Sequence, residues 1–154
     1  MSRLILIFLF FSACNSQENS SESVVKDTLK DTKQIRDASL MNGCYTSILK
    51  KDTATLKINN DNGQVSGELV YKRFEKDNNV GNLEGKILDS LIVADYTFQS
   101  EGTTSVRQVV FKISGENLIE GYGEINMNGD TATFKDIANL KYQEGQPFLK
   151  GECK

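Results

Sequence analysis

The chain has 154 residues, of which 38% are hydrophobic and 25% are charged, and its formal net charge is -3. A chain of this length fits one domain, and a mild acidic bias offers no electrostatic footprint for nucleic acid. The composition contains no His, which excludes Ser-His-Asp and Cys-His catalysis and His-based metal sites. We therefore expect neither enzymatic activity nor a bound metal or cofactor.

The first fourteen residues have the layout of an export signal. Arg3 supplies a short positive segment, and residues 4–11 form an unbroken apolar run that falls short of the ~20 residues needed to span a bilayer. The segment Ser12-Ala13-Cys14 resembles the lipobox of bacterial lipoproteins, with Phe11 where Leu is more usual. That resemblance implies cleavage before Cys14 and lipidation of its thiol. The alternative is an ordinary secretory signal that contains a Cys.

Three segments follow from this interpretation: a signal peptide over 1–13, a lipidated Cys14 with a polar tether over 14–40, and a folded domain over 41–154. The tether is rich in Ser, Asn, Gln and charged residues, a composition that cannot bury enough surface to offset the entropy of ordering. In enteric lipoproteins an Asp after the lipidated Cys marks inner-membrane retention, and Asn15 stands here. We expect a cell-envelope protein that its lipid anchors in the outer membrane.

From Met41 onward, short alternating segments are separated by turn residues. Asn62-Gly63 and Asn128-Gly129 are the strongest short hairpin signals. The predicted strands cover 43–49, 53–59, 64–73, 81–88, 90–99, 104–113, 117–126, 131–135 and 139–143, with a last extended piece at 147–153. Alternation with one buried and one wet face predicts antiparallel pairing. We expect an all-β, up-and-down meander of about eight strands that closes into a small barrel.

Cys44 and Cys153 are the two cysteines that remain when Cys14 is lipidated. Export places this pair in an oxidising compartment, where an even pair is usually a disulfide. Closing a loop of this length stabilises the folded state by ~4–5 kcal/mol in the chain-entropy model. A metal thiolate site or a reactive thiol would need further ligands or an electropositive setting, so we predict a structural disulfide.

Two further resemblances concern the folded domain. Gly43-Cys44-Tyr45 resembles the Gly-x-Trp start of lipocalins and related calycin barrels, with Tyr in the aromatic position. The whole chain resembles small lipoproteins of Bacteroidota-type bacteria that carry one β-domain behind a tether. The first resemblance implies a calycin-like barrel with a ligand cup, although a fold alone does not give a function.

Whether the barrel contains a cavity depends on its inward-facing glycines. Gly67, Gly85, Gly121 and Gly123 either leave room for a ligand or let the strands bend, and we favour bending. If a pocket exists, its aromatic walls are predicted to come from Tyr45, Tyr71, Tyr96, Phe98, Phe111 and Tyr122.

Arg107 lies in phase with Val109 and Phe111, so its guanidinium should enter the barrel near one mouth. A buried charge is costly unless it is paired, and Glu101 across the same hairpin is the expected partner in a rim ion pair. The functional alternative is that Arg107 holds a carboxylate or phosphate head of a ligand. Glu120 and Glu124 alternate with Ile119 and Ile125 and are expected to face solvent unless Tyr122 is the buried residue. Because no second acidic cluster lies in phase with them, no glycosidase-type carboxylate pair is predicted.

Two functions follow from these expectations. In the first, the barrel binds a small amphipathic or hydrophobic ligand. In the second, the domain is an envelope protein-interaction or inhibitor module that acts through the loops at one end. A mostly apolar cavity of ~300 Å³ or more would favour the first function, and a filled interior with an exposed loop patch would favour the second.

Overall fold

The computed structural model describes residues 41–100 and 102–153. The predicted signal peptide, the tether and Cys14 therefore lie outside the described residues, as does Glu101. The strands are β1 (Gly43–Leu49), β2 (Asp52–Asp61), β3 (Gln64–Lys72), β4 (Asn79–Leu88), β5 (Leu91–Ser100), β6 (Thr103–Ser114), β7 (Asn117–Tyr122), β8 (Ile125–Asn128), β9 (Thr131–Phe134), β10 (Lys141–Tyr142) and β11 (Leu149–Gly151). One short 3-10 helix covers Ile137–Asn139. Within the described ranges, no helix has the length and apolar content required to cross a bilayer.

The eleven strands form one sheet, and the all-β prediction is confirmed. Its order is β10-β7-β6-β5-β4-β3-β2-β1-β11, so β1 to β7 follow the predicted antiparallel meander. The path of paired strands begins at β10 and ends at β11, and the sheet is not closed. The strand path therefore does not show the predicted closed barrel of about eight strands.

Two features of the chain end the meander after β7. The chain predicted as one strand over 117–126 is divided into β7 and β8, and β8 pairs only with β9. Strand β9 pairs in parallel with the first half of β6, which makes the sheet mixed rather than purely antiparallel. An isolated bridge joins Leu118 of β7 to Phe148, with N–H to C=O distances of 3.0 and 2.7 Å.

The core lies on the concave side of this sheet and is filled by side chains. Its largest fully buried members are Tyr45, Tyr96, Phe111, Phe148, Met41, Leu56, Ile58, Leu69, Leu83, Ile92, Leu118 and Val109. The rings of Phe111 and Phe148 meet edge to face at 5.4 Å. Burial of this apolar surface is the main favourable term in folding.

The inward glycines permit close strand approach instead of making space. A Cβ on Gly67 would overlap the backbone carbonyl of Lys57, and one on Gly85 would overlap that of Val93. Any larger residue at these two positions would have to push the neighbouring strand away. At both positions neighbouring backbone occupies the space that a side chain would need, and bending of these strands stays a prediction.

The sheet has two ends that differ in construction. At the first, which we call the disulfide end, Cys44 and Cys153 are bonded with their Cα atoms 5.1 Å apart, as predicted. The described chain begins there with Met41, whose carbonyl accepts a hydrogen bond of 2.9 Å from the Tyr45 hydroxyl. At the opposite end, which we call the mouth end, lie the β1–β2 turn, the β3–β4 connection and the ends of β5 and β7.

Candidate functional site

A cavity of about 130 Å³ opens at the mouth end. Its wall is shared by several strands because β1, β2, β3 and β7 all end or begin there. The lining residues are Ser47, Asp52, Thr53, Ala54, Tyr71, Lys72, Arg73, Glu120, Tyr122, Gln146 and Phe148. This mouth cavity is mixed in polarity, and its volume is less than half of the ~300 Å³ at which typical ligand pockets begin.

Glu120 is the central polar residue of the mouth cavity. It is only 7% exposed, although the sequence pattern predicted that it faces solvent, and that prediction is wrong. Its Oε1 accepts a hydrogen bond of 2.6 Å from the Tyr71 hydroxyl, and its Oε2 accepts one of 2.9 Å from the Tyr122 hydroxyl. Glu124, its neighbour in the same motif, is exposed and pairs with Lys135 at 3.0 Å.

Arg107 enters the concave side of the sheet as the sequence predicts, and its described ion pair is with Glu120. The guanidinium Nη2 lies 3.9 Å from Glu120 Oε1. Phe111 of β6 lies opposite Glu120 of β7, and Arg107 is four residues before Phe111, about 13 Å along the strand, so the pair depends on the length of the arginine side chain. The Arg107 guanidinium also lies 5.3 Å from the ring centre of Tyr71 and 5.8 Å from that of Tyr96, within cation–π range.

Three tyrosines, two of them bonded to Glu120, are strongly held in their neutral form. Burial, followed by the negative charge of Glu120, raises the pKa of Tyr71 and of Tyr122 well above the usual value, and the charge of Arg107 opposes this. Burial also raises the pKa of Tyr96 to about 12, against the opposing charges of Arg107 and Arg73. At neutral pH these hydroxyls are therefore hydrogen-bond donors, which is the role that two of them have toward Glu120.

The predicted ligand-binding residues are divided between the core and the mouth. Tyr45, Tyr96 and Phe111 are fully buried core residues. Tyr71 and Phe98 are partly buried and pack against the same core. Of the predicted ligand-site residues, Tyr71 and Tyr122 line the mouth cavity, and Arg107 reaches the cavity through its contacts with Tyr71 and Glu120.

Sequence reasoning missed Arg73 as a candidate site residue. This exposed side chain lines the mouth cavity, with its guanidinium 5.9 Å from the ring centre of Tyr71. Counting by two from Val65 through Leu69 and Tyr71 also reaches Arg73. The alternation that identified the inward face of β3 could therefore have identified Arg73 as well.

Beside the mouth cavity lies an exposed group of residues that we call the loop patch: Ile48, Leu49, Lys51 and Phe74. Their apolar members are 67%, 42% and 47% exposed for Ile48, Leu49 and Phe74. The Lys51 ammonium lies 3.7 Å from the centre of the Phe74 ring. Asp52 joins the two connections, because its Oδ1 accepts a hydrogen bond of 2.8 Å from the Phe74 N–H.

Comparison with protein-family models, with curated proteins and with solved structures gives no match for this chain.

Proposed function

We propose that the protein is a lipid-anchored protein of the cell envelope that acts as an interaction module through its mouth end. The observation that carries this proposal is that the interior is packed with its own side chains, while the loop patch is exposed. Exposed apolar residues that cluster beside charged ones are typical of protein–protein binding surfaces. The rest of the domain is then a scaffold that holds the two mouth-end connections in place.

The position of the first described residue supports the anchoring part of this proposal. Met41 lies at the disulfide end, and the Ser12-Ala13-Cys14 segment precedes it in the sequence. An anchor at Cys14 would therefore be joined to the domain at the end opposite the loop patch. Such an attachment leaves the mouth end unobstructed for a partner.

Site-specific photo-crosslinking in the cells that carry the full chain tests the interaction role. A photoreactive amino acid replaces Phe74 in one variant and Leu88, which is 44% exposed at the disulfide end, in the control variant. We expect a discrete crosslinked product from position 74 that weakens when Lys51→Glu is added and that position 88 does not give. Identical patterns from both positions, or a product indifferent to Lys51→Glu, would contradict the proposal.

The anchoring part has its own experiment. Labelled palmitate fed to the same cells should be incorporated into the full chain, and Cys14→Ser should abolish incorporation together with recovery in the membrane fraction. Label that persists in Cys14→Ser would contradict lipidation at this residue.

Binding of a small amphipathic ligand is the second candidate, and the mouth cavity is the observation that favours it. An apolar tail longer than this cavity would have to displace packed side chains such as Tyr96 or Phe111, whose exposure is 0%. Overfilling a packed core costs ~1–3 kcal/mol, which disfavours this function. Native mass spectrometry of the full chain purified from its own cells decides between the two, since a retained lipid-like molecule would favour ligand binding.

A further inference from the structure

Positive charges outnumber negative charges in and against the mouth cavity. Three cations, Lys72, Arg73 and Arg107, lie in or against it, with two carboxylates, Asp52 and Glu120. Both carboxylates already accept hydrogen bonds from the protein. With Arg107, which contacts two of the lining residues, the cavity region has one positive charge in excess, and each of its carboxylates already accepts a hydrogen bond.

Arg73 is a cation of the cavity wall that is available to bind something else. Its guanidinium contacts the Tyr71 ring, and it forms no ion pair with any residue in the described ranges. Arg107 contacts the same ring from β6, and its ion pair with Glu120 is long at 3.9 Å. An arginine carries five N–H donors, so most donors of both guanidiniums are left for a further acceptor.

A second observation comes from Tyr96, which contacts Arg107 and the cavity-lining Tyr71 but does not line the cavity itself. Its side chain is fully buried, and its hydroxyl has no hydrogen-bond partner among the described residues. The Arg107 guanidinium lies 5.8 Å from the centre of the Tyr96 ring. Buried polar groups are nearly always paired, so this unpaired hydroxyl marks the polar region around Arg107 as incompletely satisfied.

We propose that the mouth cavity binds a carboxylate between the guanidiniums of Arg73 and Arg107. The planar fork of arginine matches the two oxygens of a carboxylate. A volume of about 130 Å³ corresponds to roughly four water molecules at ~30 Å³ each, which is enough for a carboxylate and a short carbon stem. Glu120 could compete with a ligand for the arginine N–H groups, but each of its two oxygens already accepts a hydrogen bond, one from Tyr71 and one from Tyr122.

The carboxylate has two possible sources, a free small acid or an acidic side chain on a protein partner. The second source deepens the proposed function, because it names the chemistry that the mouth end would recognise on a partner. The site itself does not depend on anchoring or on the loop patch.

Titration of the full chain in detergent, followed by NMR of the arginine Nε–H groups, tests the proposal at constant ionic strength. The probes are sodium acetate and a capped tri-glutamate peptide, with a capped tri-glutamine peptide and sodium chloride as controls. We expect saturable shifts for Arg73 and Arg107 with a carboxylate probe. Saturation by acetate identifies a free acid as sufficient, and saturation by tri-glutamate alone assigns the carboxylate to a protein segment; both results support the site.

Variants make the test specific. Loss of a charged hydrogen bond typically weakens binding by about tenfold or more, and we expect that loss in Arg73→Gln. Arg73→Lys should lie between this variant and the unchanged chain, because Lys keeps the charge without the fork. The control Lys86→Gln removes the same charge from an exposed residue of β4 near the disulfide end and should change affinity less than twofold.

Equal affinities of Arg73→Gln and the unchanged chain would overturn the proposal, as would chloride binding as tightly as the carboxylate probes. A failure of the proposed interaction role would give a different result from a failure of the carboxylate site. The absence of crosslinks from position 74 would remove that role and leave a saturable carboxylate site in place.

Discussion

The two ends of the sheet each bury a tyrosine completely, and they treat its hydroxyl in opposite ways. At the disulfide end the Tyr45 hydroxyl donates to the carbonyl of Met41. Toward the mouth end the Tyr96 hydroxyl has no partner among the described residues, and Glu120 lies nearby with three donors around it. The first end is built for stability, whereas the second holds polar groups whose pairing is uneven, as is common where a protein binds something.

Removal of the disulfide should give the largest loss of folding stability. Replacing both cysteines by serine, Cys44→Ser with Cys153→Ser, frees a loop with a sequence separation of 109. In the chain-entropy model, the free energy of unfolding should fall by ~4–5 kcal/mol. Urea unfolding of the full chain measures it, and Cys14→Ser is the control because it removes a cysteine outside this bond. A loss below ~1 kcal/mol would show that the disulfide end owes its stability to packing alone.

Glu120→Ala should give the next largest effect. It leaves the Tyr71 and Tyr122 hydroxyls without their acceptor and Arg107 without its ion-pair partner. Removing one member of a buried polar group costs several kcal/mol when fully buried, and we expect ~2–3 kcal/mol because Arg107 is partly exposed. Glu124→Ala is the matched control from the same strand region and should change stability by less than ~0.5 kcal/mol. Equal effects in the two variants would mean that the polar cluster contributes nothing to the mouth end.

The hairpin prediction succeeded where turn chemistry is local. Asn62 and Gly63 both have positive φ, at 50° and 87°, the backbone that a two-residue hairpin turn requires. The disulfide was equally predictable, because it required only export and an even number of free cysteines. These features depend on neighbours in sequence or on composition, and both are visible without coordinates.

The errors concern features that depend on register and on burial of both faces. Residues 118–121 of β7 are all buried, so alternation there carries no information about which side Glu120 faces. The contact of Arg107 with Glu120 also depends on contacts between strands that no pattern within either strand specifies, whereas the predicted pair with Glu101 stays a prediction because Glu101 lies outside the described residues. The parallel pairing of β9 with β6 likewise depends on a contact between distant segments.

A matched pair of tyrosine variants compares the two buried hydroxyls directly, with a smaller expected effect on folding stability. Tyr45→Phe leaves the buried carbonyl of Met41 without its donor and should cost ~1–2 kcal/mol. Tyr96→Phe removes a hydroxyl that has no described partner, so stability should stay unchanged or rise slightly. Thermal and urea unfolding of both variants measure the difference. If Tyr96→Phe is destabilised as much as Tyr45→Phe, the hydroxyl of Tyr96 is paired in solution.

We expect the smallest effect from pH. The unchanged chain and Tyr96→Phe differ in their free energy of unfolding, and this difference should change with pH. The folded-state pKa of Tyr96 is raised from 10.0 to about 12, mainly by burial. Up to about pH 9, both the folded and the unfolded chain keep this proton, so the contribution is fully present. Above pH 10 the unfolded chain loses it first, and folding stability must fall until the pH passes about 12.

For that shift, the contribution of Tyr96 should fall by about 1 kcal/mol between pH 9 and pH 11. Tyr71 and Tyr122 also have raised pKa values, but they are present in both chains, so the difference between the chains isolates Tyr96. Urea unfolding at the two pH values measures this difference. A difference independent of pH would mean that Tyr96 ionises alike in the folded and unfolded chains, and that the cations at the mouth end offset the whole effect of its burial.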